Sequence, residues 1–211
     1  MKRFLTLLVL LGLHVSLYAA DPPGNSYEKS LLDTIKEIQS LNHEQALSST
    51  RDLIRQYPHS RLGHMLYADL LLAKAEPLME IGSGIEIDRA MRDFRYEIQQ
   101  RWQHDTSPAH QAKYPENILF LADEQPYVIL VDQQNSRVYV YRNQGGDLKL
   151  ETDYFITIGL KGYGKQKRGD QKTPMGIYHV THYIDGAQLP DLYGEGAIPI
   201  NYTNAWDVRK Q

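Results

Sequence analysis

Residues 127–142 read YVILVDQQNSRVYVYR. Two runs rich in β-branched and aromatic residues, 127–131 and 137–142, flank the polar segment 133–136. β-branched and aromatic residues favour strands, and a short polar segment between two strands is typical of a turn. The stretch therefore predicts a β-hairpin at the start of a β domain.

The same pattern continues toward the C-terminus. Gly145-Gly146 predicts a turn, and further strands are expected at 148–151, 154–158 and 177–183. Several short strands joined by glycine-rich turns predict a sandwich or a barrel-like domain.

A glycine-rich loop, residues 159–176, separates the last two of these strands. Gly164 and Gly169 have the spacing of a phosphate-binding loop, but Asp170 stands where that motif requires lysine. Thr173-Pro174 also prevents the helix that such a loop must open, so nucleotide binding is not expected. Two interpretations of the loop's basic residues stay open, namely contact with substrate carboxylates or a solvated surface. These residues are Lys161, Lys165, Lys167, Arg168 and Lys172.

The sequence before the β domain has a helical apolar period from about residue 26 to 103. Four helices are expected, the first capped by Asn25 and Glu28 and the third by Ser60. The second ends at Tyr57-Pro58, and the fourth spans about 85–102 with Glu97 and Arg101 spaced for an i, i+4 pair. Residues 44–75 resemble a tetratricopeptide-type helix pair, and a plain helical hairpin is the alternative.

The first twenty residues have the pattern of a secretory signal peptide. Lys2 and Arg3 precede an apolar run, residues 4–13, and Ala19-Ala20 is suitable for cleavage. An uncleaved membrane anchor is the alternative, but the run is shorter than the ~20 residues that span a bilayer. We therefore expect an exported protein of the periplasm or cell envelope, with no membrane span after cleavage.

Composition limits the chemistry. The 211 residues include 23 Lys+Arg and 26 Asp+Glu, and the net charge of -3 argues against nucleic-acid binding. There is no Cys, which excludes disulfides, cysteine-ligated metals and a cysteine nucleophile within these residues. His179 and His182 point to opposite faces of a predicted strand, so they are not expected to form a metal site. No metal and no cofactor are expected elsewhere in the chain.

The predicted class is α+β. We expect a signal peptide at 1–20, a helical accessory region at 21–108, a linker at 109–126 and a mainly β domain at 127–211.

The β domain resembles the catalytic domain of the L,D-transpeptidase (YkuD) family. The likeness rests on the hairpin 128–141, on Thr157-Ile158-Gly159, on Gly169-Asp170 and on Thr173-Pro174-Met175-Gly176-Ile177-Tyr178. It continues through residues 193–197 and 201–207. The resemblance implies action on peptidoglycan stem peptides, in which a cysteine thiolate attacks the L,D bond and an amine resolves the acyl-enzyme. It equally admits L,D-carboxypeptidases and amidases, which use water.

The chain departs from the family at the catalytic centre. The family's His-Gly and Ser-x-Gly-Cys motifs follow the region of residues 204–207, and neither is found before Gln211. We therefore expect an incomplete domain, inactive as a fragment, and no catalytic residue is assigned. A non-catalytic cell-wall binding or adaptor protein, with a protein partner on the helical region, is the alternative.

The resemblance leaves a set of scaffold residues that would line the approach to the substrate. Each also has a purely structural interpretation: Gly176 could only supply backbone freedom, and Trp206 could only be a core residue. The predicted substrate-binding residues are Thr173, Gly176, Tyr193, Gly194, Asn201, Asn204 and Trp206.

Overall fold

A computed structural model describes residues 6–10, 23–74, 89–106, 118 and 120–209. The chain forms two compact units, one of residues 19–111 and one of residues 1–18 with 112–211. The first contains four helices in its described part, and the second contains the sheets. The α+β class predicted from the sequence is confirmed.

The helical unit is built from amphipathic helices whose apolar faces meet. Neighbouring helices pack in the order α1 against α2, α2 against α3, and α1 against α4. Leu31, Ile35, Leu53 and Leu66 are almost completely buried where these faces meet. No helix within the described residues is apolar enough over the required length to cross a membrane. The four helices are α1 (Pro23–Gln39), α2 (His43–Gln56), α3 (Arg61–Leu72) and α4 (Arg89–Thr106).

Two of the predicted helix starts have different outcomes. The cap at Ser60 is confirmed, because its hydroxyl accepts a hydrogen bond from the Gly63 N–H at 3.0 Å. The capping box at Asn25 and Glu28 is wrong, because α1 already begins at Pro23. Proline is tolerated in a first helical turn, where its missing N–H has no partner to lose. Glu28 lies inside the helix, buried beside Arg101.

The fourth helix extends further than its apolar pattern predicts. Its expected start near residue 85 falls in 75–88, outside the described residues. It continues past Trp102 to Thr106, where the sequence is polar. Phe94 and Ile98 pack in the helical core.

A five-stranded mixed sheet forms the centre of the second unit. Its spatial order is β4-β3-β2-β1-β5, with antiparallel neighbours except for the parallel pair β1 and β5. A two-stranded ribbon, β6 with β7, and the short helix α5 (Ala205–Arg209) complete the unit. The strands are β1 (Thr6–Leu10), β2 (Tyr127–Asp132), β3 (Arg137–Gln144), β4 (Asp147–Phe155), β5 (Ile177–His179), β6 (Ile184–Asp185) and β7 (Gly196–Ala197).

The predicted hairpin is confirmed, but the later strands are divided differently. The expected strands at 148–151 and 154–158 are one strand, β4, whose register shifts opposite Val140 and Tyr141. Such a bulge accommodates an extra residue without ending the strand, so an interruption in the apolar pattern does not mark a turn. The expected strand 177–183 is shorter, because after His179 the chain pairs with the segment around Ile200.

Strand β1 lies in the predicted signal peptide, where no strand is expected from the sequence. Its backbone pairs with β2 over Thr6–Leu10 and with β5 over Leu7–Val9. It therefore separates β2 from β5. Cleavage after residue 20 stays a prediction.

Both faces of the sheet are apolar next to β1. Val128 and Leu130 belong to one core cluster with Tyr139 and Tyr141, whereas Ile129 faces a second cluster that contains Tyr178. Because successive strand residues point to opposite faces, β2 is covered on both sides.

Stability above pH 10 is expected to depend on Tyr139 and Tyr141. Burial, reinforced by nearby carboxylates, raises the pKa of each to about 12. The unfolded chain then loses these protons first, so the folded state binds more protons between about pH 10 and 12, and stability falls over that interval. Each group contributes a slope of up to about 1.4 kcal/mol per pH unit. Urea unfolding measured from pH 8 to 11.5 should show a shallower alkaline decline for Tyr139→Phe/Tyr141→Phe, and an unchanged slope would contradict the assignment.

Candidate functional site

Asp170 organises the glycine-rich loop before β5. Its carboxylate accepts hydrogen bonds from the backbone N–H groups of Gln166 at 2.8 Å, Lys167 at 3.1 Å and Lys172 at 3.1 Å. Lys165 Nζ donates to the same carboxylate at 3.0 Å. Desolvation raises the pKa of Asp170, but these donors outweigh it and hold the pKa well below its ordinary value. The carboxylate thus stays ionised and holds the loop in one turn.

The basic residues of the loop do not form one surface. Lys165 is half-buried, pairs with Asp170, and places its ammonium 5.8 Å from the centre of the Tyr202 ring. Lys161, Lys167 and Arg168 are exposed. These three exposed cations and the half-buried Lys172 retain both sequence interpretations, substrate carboxylates or solvent.

Thr173 ties the two ends of the loop together. Its hydroxyl oxygen accepts a hydrogen bond from the Gly159 N–H at 2.8 Å. A side chain on Gly159 would run into the backbone of residues 171–172, so the close approach requires glycine. Pro174 offers its carbonyl to the Gln133 side-chain amide at 2.8 Å. The Thr-Pro-Met-Gly segment is therefore fixed both to residue 159 and to the turn of the hairpin.

Replacing Thr173 with valine should lower the free energy of unfolding by about 1–2 kcal/mol. Valine has nearly the same shape but leaves the Gly159 N–H without its acceptor. Thr173→Ser keeps the hydroxyl and serves as the control. Urea unfolding of both variants tests the role, and equal losses for valine and serine would contradict it.

A buried hydrogen-bond network joins β5 to α5. Tyr178 is completely buried, and its hydroxyl donates to Asp207 Oδ1 at 2.9 Å. Asp207 Oδ2 accepts from the Asn204 N–H at 3.0 Å. Burial, and then the neighbouring Asp207 carboxylate, raise the pKa of Tyr178, so Tyr178 stays a hydrogen-bond donor. A side chain on Gly176 would meet the Tyr178 hydroxyl at 3.0 Å, so Gly176 gives this network its room.

Asn201 and Asn204 hold the backbone of β5 from either end. Asn201 Oδ1 accepts from the His179 N–H at 2.8 Å, and Asn204 Nδ2 donates to the Ile177 carbonyl at 2.9 Å. Asn204 Oδ1 also accepts from the Trp206 N–H at 2.9 Å and so caps α5. Both asparagines therefore position the strand, and Asn204 also positions the short helix.

The remaining predicted residues lie on the surface. Trp206 on α5 is 52% exposed, so the alternative interpretation, that Trp206 is only a core residue, is wrong. Tyr193 is 53% exposed and ends a 3-10 turn. Gly194 follows with φ of 59°, a backbone conformation that favours glycine. This turn adjoins the β6–β7 ribbon, where the Tyr183 hydroxyl donates to the Glu195 carbonyl at 2.8 Å.

The structure thus places three of the seven predicted residues against β5, namely Gly176, Asn201 and Asn204, whereas Thr173 contacts Gly159. Their substrate contacts stay a prediction. Sequence reasoning missed the organising roles of Asp170, Tyr178 and Asp207, although each lies in a segment that carries the resemblance. An acid directly after a turn glycine is a usable signal for Asp170, whereas the Tyr178–Asp207 contact joins residues 29 apart and has no local signal.

The described residues contain no group of three His, Cys, Asp or Glu side chains placed to hold a metal ion.

Comparison with known families supports the resemblance. The family model for the L,D-transpeptidase catalytic domain, YkuD, matches residues 126–211. Searches of curated proteins and of solved structures gave no match. The matched range includes the hairpin, the Asp170 loop and the Tyr178–Asp207 network. Residues 126–211 therefore belong to the L,D-transpeptidase catalytic-domain (YkuD) family.

Proposed function

We propose that this chain is an exported protein that binds peptidoglycan stem peptides through the surface around β5. The single observation that carries the proposal is the family match over residues 126–211. The ordered Thr-Pro-Met-Gly segment and the exposed Trp206 support it, because an ordered loop and an exposed aromatic side chain are each suited to contact a peptide ligand. The expected surface includes Thr173, Gly176, Tyr193, Gly194, Asn201, Asn204 and Trp206.

Binding without turnover is the activity we propose for these 211 residues. Acyl transfer of the family type needs a thiolate nucleophile, and the residues contain no Cys. The separate compact helical unit, residues 19–111, favours the second candidate function, a cell-wall adaptor. In that role the helical unit would hold a protein partner while the β domain contacts the wall.

Co-sedimentation of the purified chain with peptidoglycan sacculi tests both parts of the proposal. We expect saturable binding, together with mass spectra of the stem peptides that stay unchanged. Absence of binding would overturn the proposed ligand. Loss of the terminal D-amino acid without new crosslinks would instead assign a hydrolytic activity, and new crosslinks would assign a transpeptidase.

Trp206→Ala is expected to weaken sacculus binding about tenfold, the loss typical of an aromatic anchor in an interface. Phe120→Ala is the matched control, since Phe120 is an exposed aromatic residue that precedes β2. Binding isotherms for the two variants, with circular dichroism to verify folding, provide the measurement. Equal affinity of the two variants would remove Trp206 from the site.

A further inference from the structure

The central sheet depends on a strand that comes from the chain's N-terminal segment. β1 pairs in antiparallel register with β2, from Thr6 opposite Val131 to Leu10 opposite Tyr127. On its other side it pairs in parallel with β5, Leu8 opposite Tyr178. Hydrogen-bonded strands lie about 4.8 Å apart, so β2 and β5 are separated by the width of one strand. We call the position between residues 127–131 and 177–179 the strand site.

The chemistry of the strand site selects an apolar occupant. Val128, Ile129 and Leu130 are all buried, although they alternate between the two faces of the sheet. A strand added beside them therefore meets apolar surroundings on both faces. Thr6-Leu7-Leu8-Val9-Leu10 has no charge and no proline, the composition of a strand buried on both faces.

We propose that the strand site is a binding site for an apolar extended peptide, occupied in the precursor by the chain's own residues 6–10. Removal of residues 1–20 would expose the N–H and C=O groups of two strands at once. Edges of this kind pair readily with an added strand, and main-chain hydrogen bonds supply the affinity. The proposal rests on the proposed export only for the release of residues 1–20. The tests use the full chain and no peptidoglycan, so their failure is distinct from failure of wall binding.

Disulfide trapping tests the register, and the absence of native Cys makes the result unambiguous. In the full chain, Leu8→Cys/Ile129→Cys joins residues directly opposite each other. Opposite residues in an antiparallel pair have Cα atoms about 4.5–5.5 Å apart, within disulfide range. The control Leu8→Cys/Val131→Cys is displaced by two residues, since Val131 lies opposite Thr6. We expect crosslinking of the first pair alone, and equal crosslinking or none would overturn the proposal.

Replacement of β1 by an added peptide is tested in a variant whose own β1 is disrupted by proline. Val9→Pro in the full chain removes a backbone N–H from the middle of β1 and should speed hydrogen exchange of amides in β2 and β5. A synthetic peptide of residues 4–13 should restore their protection, and the same peptide with proline at position 9 should not. Failure of the unmodified peptide to protect either strand would overturn the binding site. If Val9→Pro does not fold, the disulfide pairs still decide the register.

Discussion

Replacing Arg101 with methionine is expected to lower the stability of the helical unit by about 3–5 kcal/mol, the loss typical of a broken buried ion pair. Arg101 on α4 lies between two carboxylates, with Nη1 3.3 Å from Glu28 Oε1 and Nη2 2.7 Å from Glu97 Oε1. The Arg101 and Glu28 side chains are only 10% and 8% exposed. Methionine fills a similar volume but leaves the two carboxylates without their shared cation. Since Glu28 belongs to α1, the loss should loosen the contact between the two helices.

Urea unfolding followed by the helical circular-dichroism signal measures this loss. Arg55→Met is the matched control, because Arg55 pairs with Asp52 three residues away on the surface, with side chains 80% and 66% exposed. An exposed pair of this kind contributes about 0–1 kcal/mol. The triple variant Glu28→Gln/Glu97→Gln/Arg101→Met should recover much of the loss, since it removes the uncompensated charges. Equal destabilisation by the Arg55 and Arg101 variants would show that the cluster is not buried in solution.

Replacing Asp207 with alanine is expected to destabilise the β domain by about 2–5 kcal/mol. The change removes the acceptor of two hydrogen bonds, one from the Tyr178 hydroxyl and one from the Asn204 N–H. Tyr178 is completely buried, so its hydroxyl cannot turn to water instead. An unsatisfied buried donor such as the Tyr178 hydroxyl costs about 1–3 kcal/mol, and the N–H of the half-buried Asn204 also loses its acceptor.

A double-mutant cycle separates the network from general loss of packing. Tyr178→Phe removes one donor and Asp207→Ala removes the acceptor, so the double variant should lose less than the sum of the single variants, by about 0.5–3 kcal/mol. Asp147→Ala, at an exposed acid in β4, is the control for loss of a carboxylate. Urea unfolding followed by near-ultraviolet circular dichroism reports the tyrosine surroundings. Strict additivity of the two substitutions would contradict the Tyr178–Asp207 hydrogen bond.

Local patterns predicted local structure well. The polar segment between two β-rich runs was sufficient for the hairpin, because a turn and its two strands are neighbours in the chain. The Ser60 cap was found for the same reason, since a cap involves residues three positions apart. Patterns failed where a distant residue took part. The bulge in β4 is accommodated by the opposing strand β3. Glu28 forms an ion pair with Arg101 on α4, a helix that begins about 60 residues later.

The candidate site shows the same contrast between local contacts and contacts of distant residues. The resemblance marked Thr173 and Asn204, and the structure gives each a defined contact, with Gly159 and with β5. The sequence shows no reason for Asp207 to meet Tyr178, because a hydrogen bond between residues 29 positions apart forms only when the chain has folded.

Composition and short-range pattern alone established the α+β class, the hairpin, the family likeness of the C-terminal region and the lack of a thiol nucleophile within these residues. Each of these follows from residue type or from spacing within a few positions. Three features came from the folded chain: the burial of Arg101, the Tyr178–Asp207 network and the placement of residues 6–10 between β2 and β5. Their physical reason is shared. Burial and strand partners depend on which distant segments meet, and an apolar run such as 6–10 fits a signal peptide and a buried strand equally well.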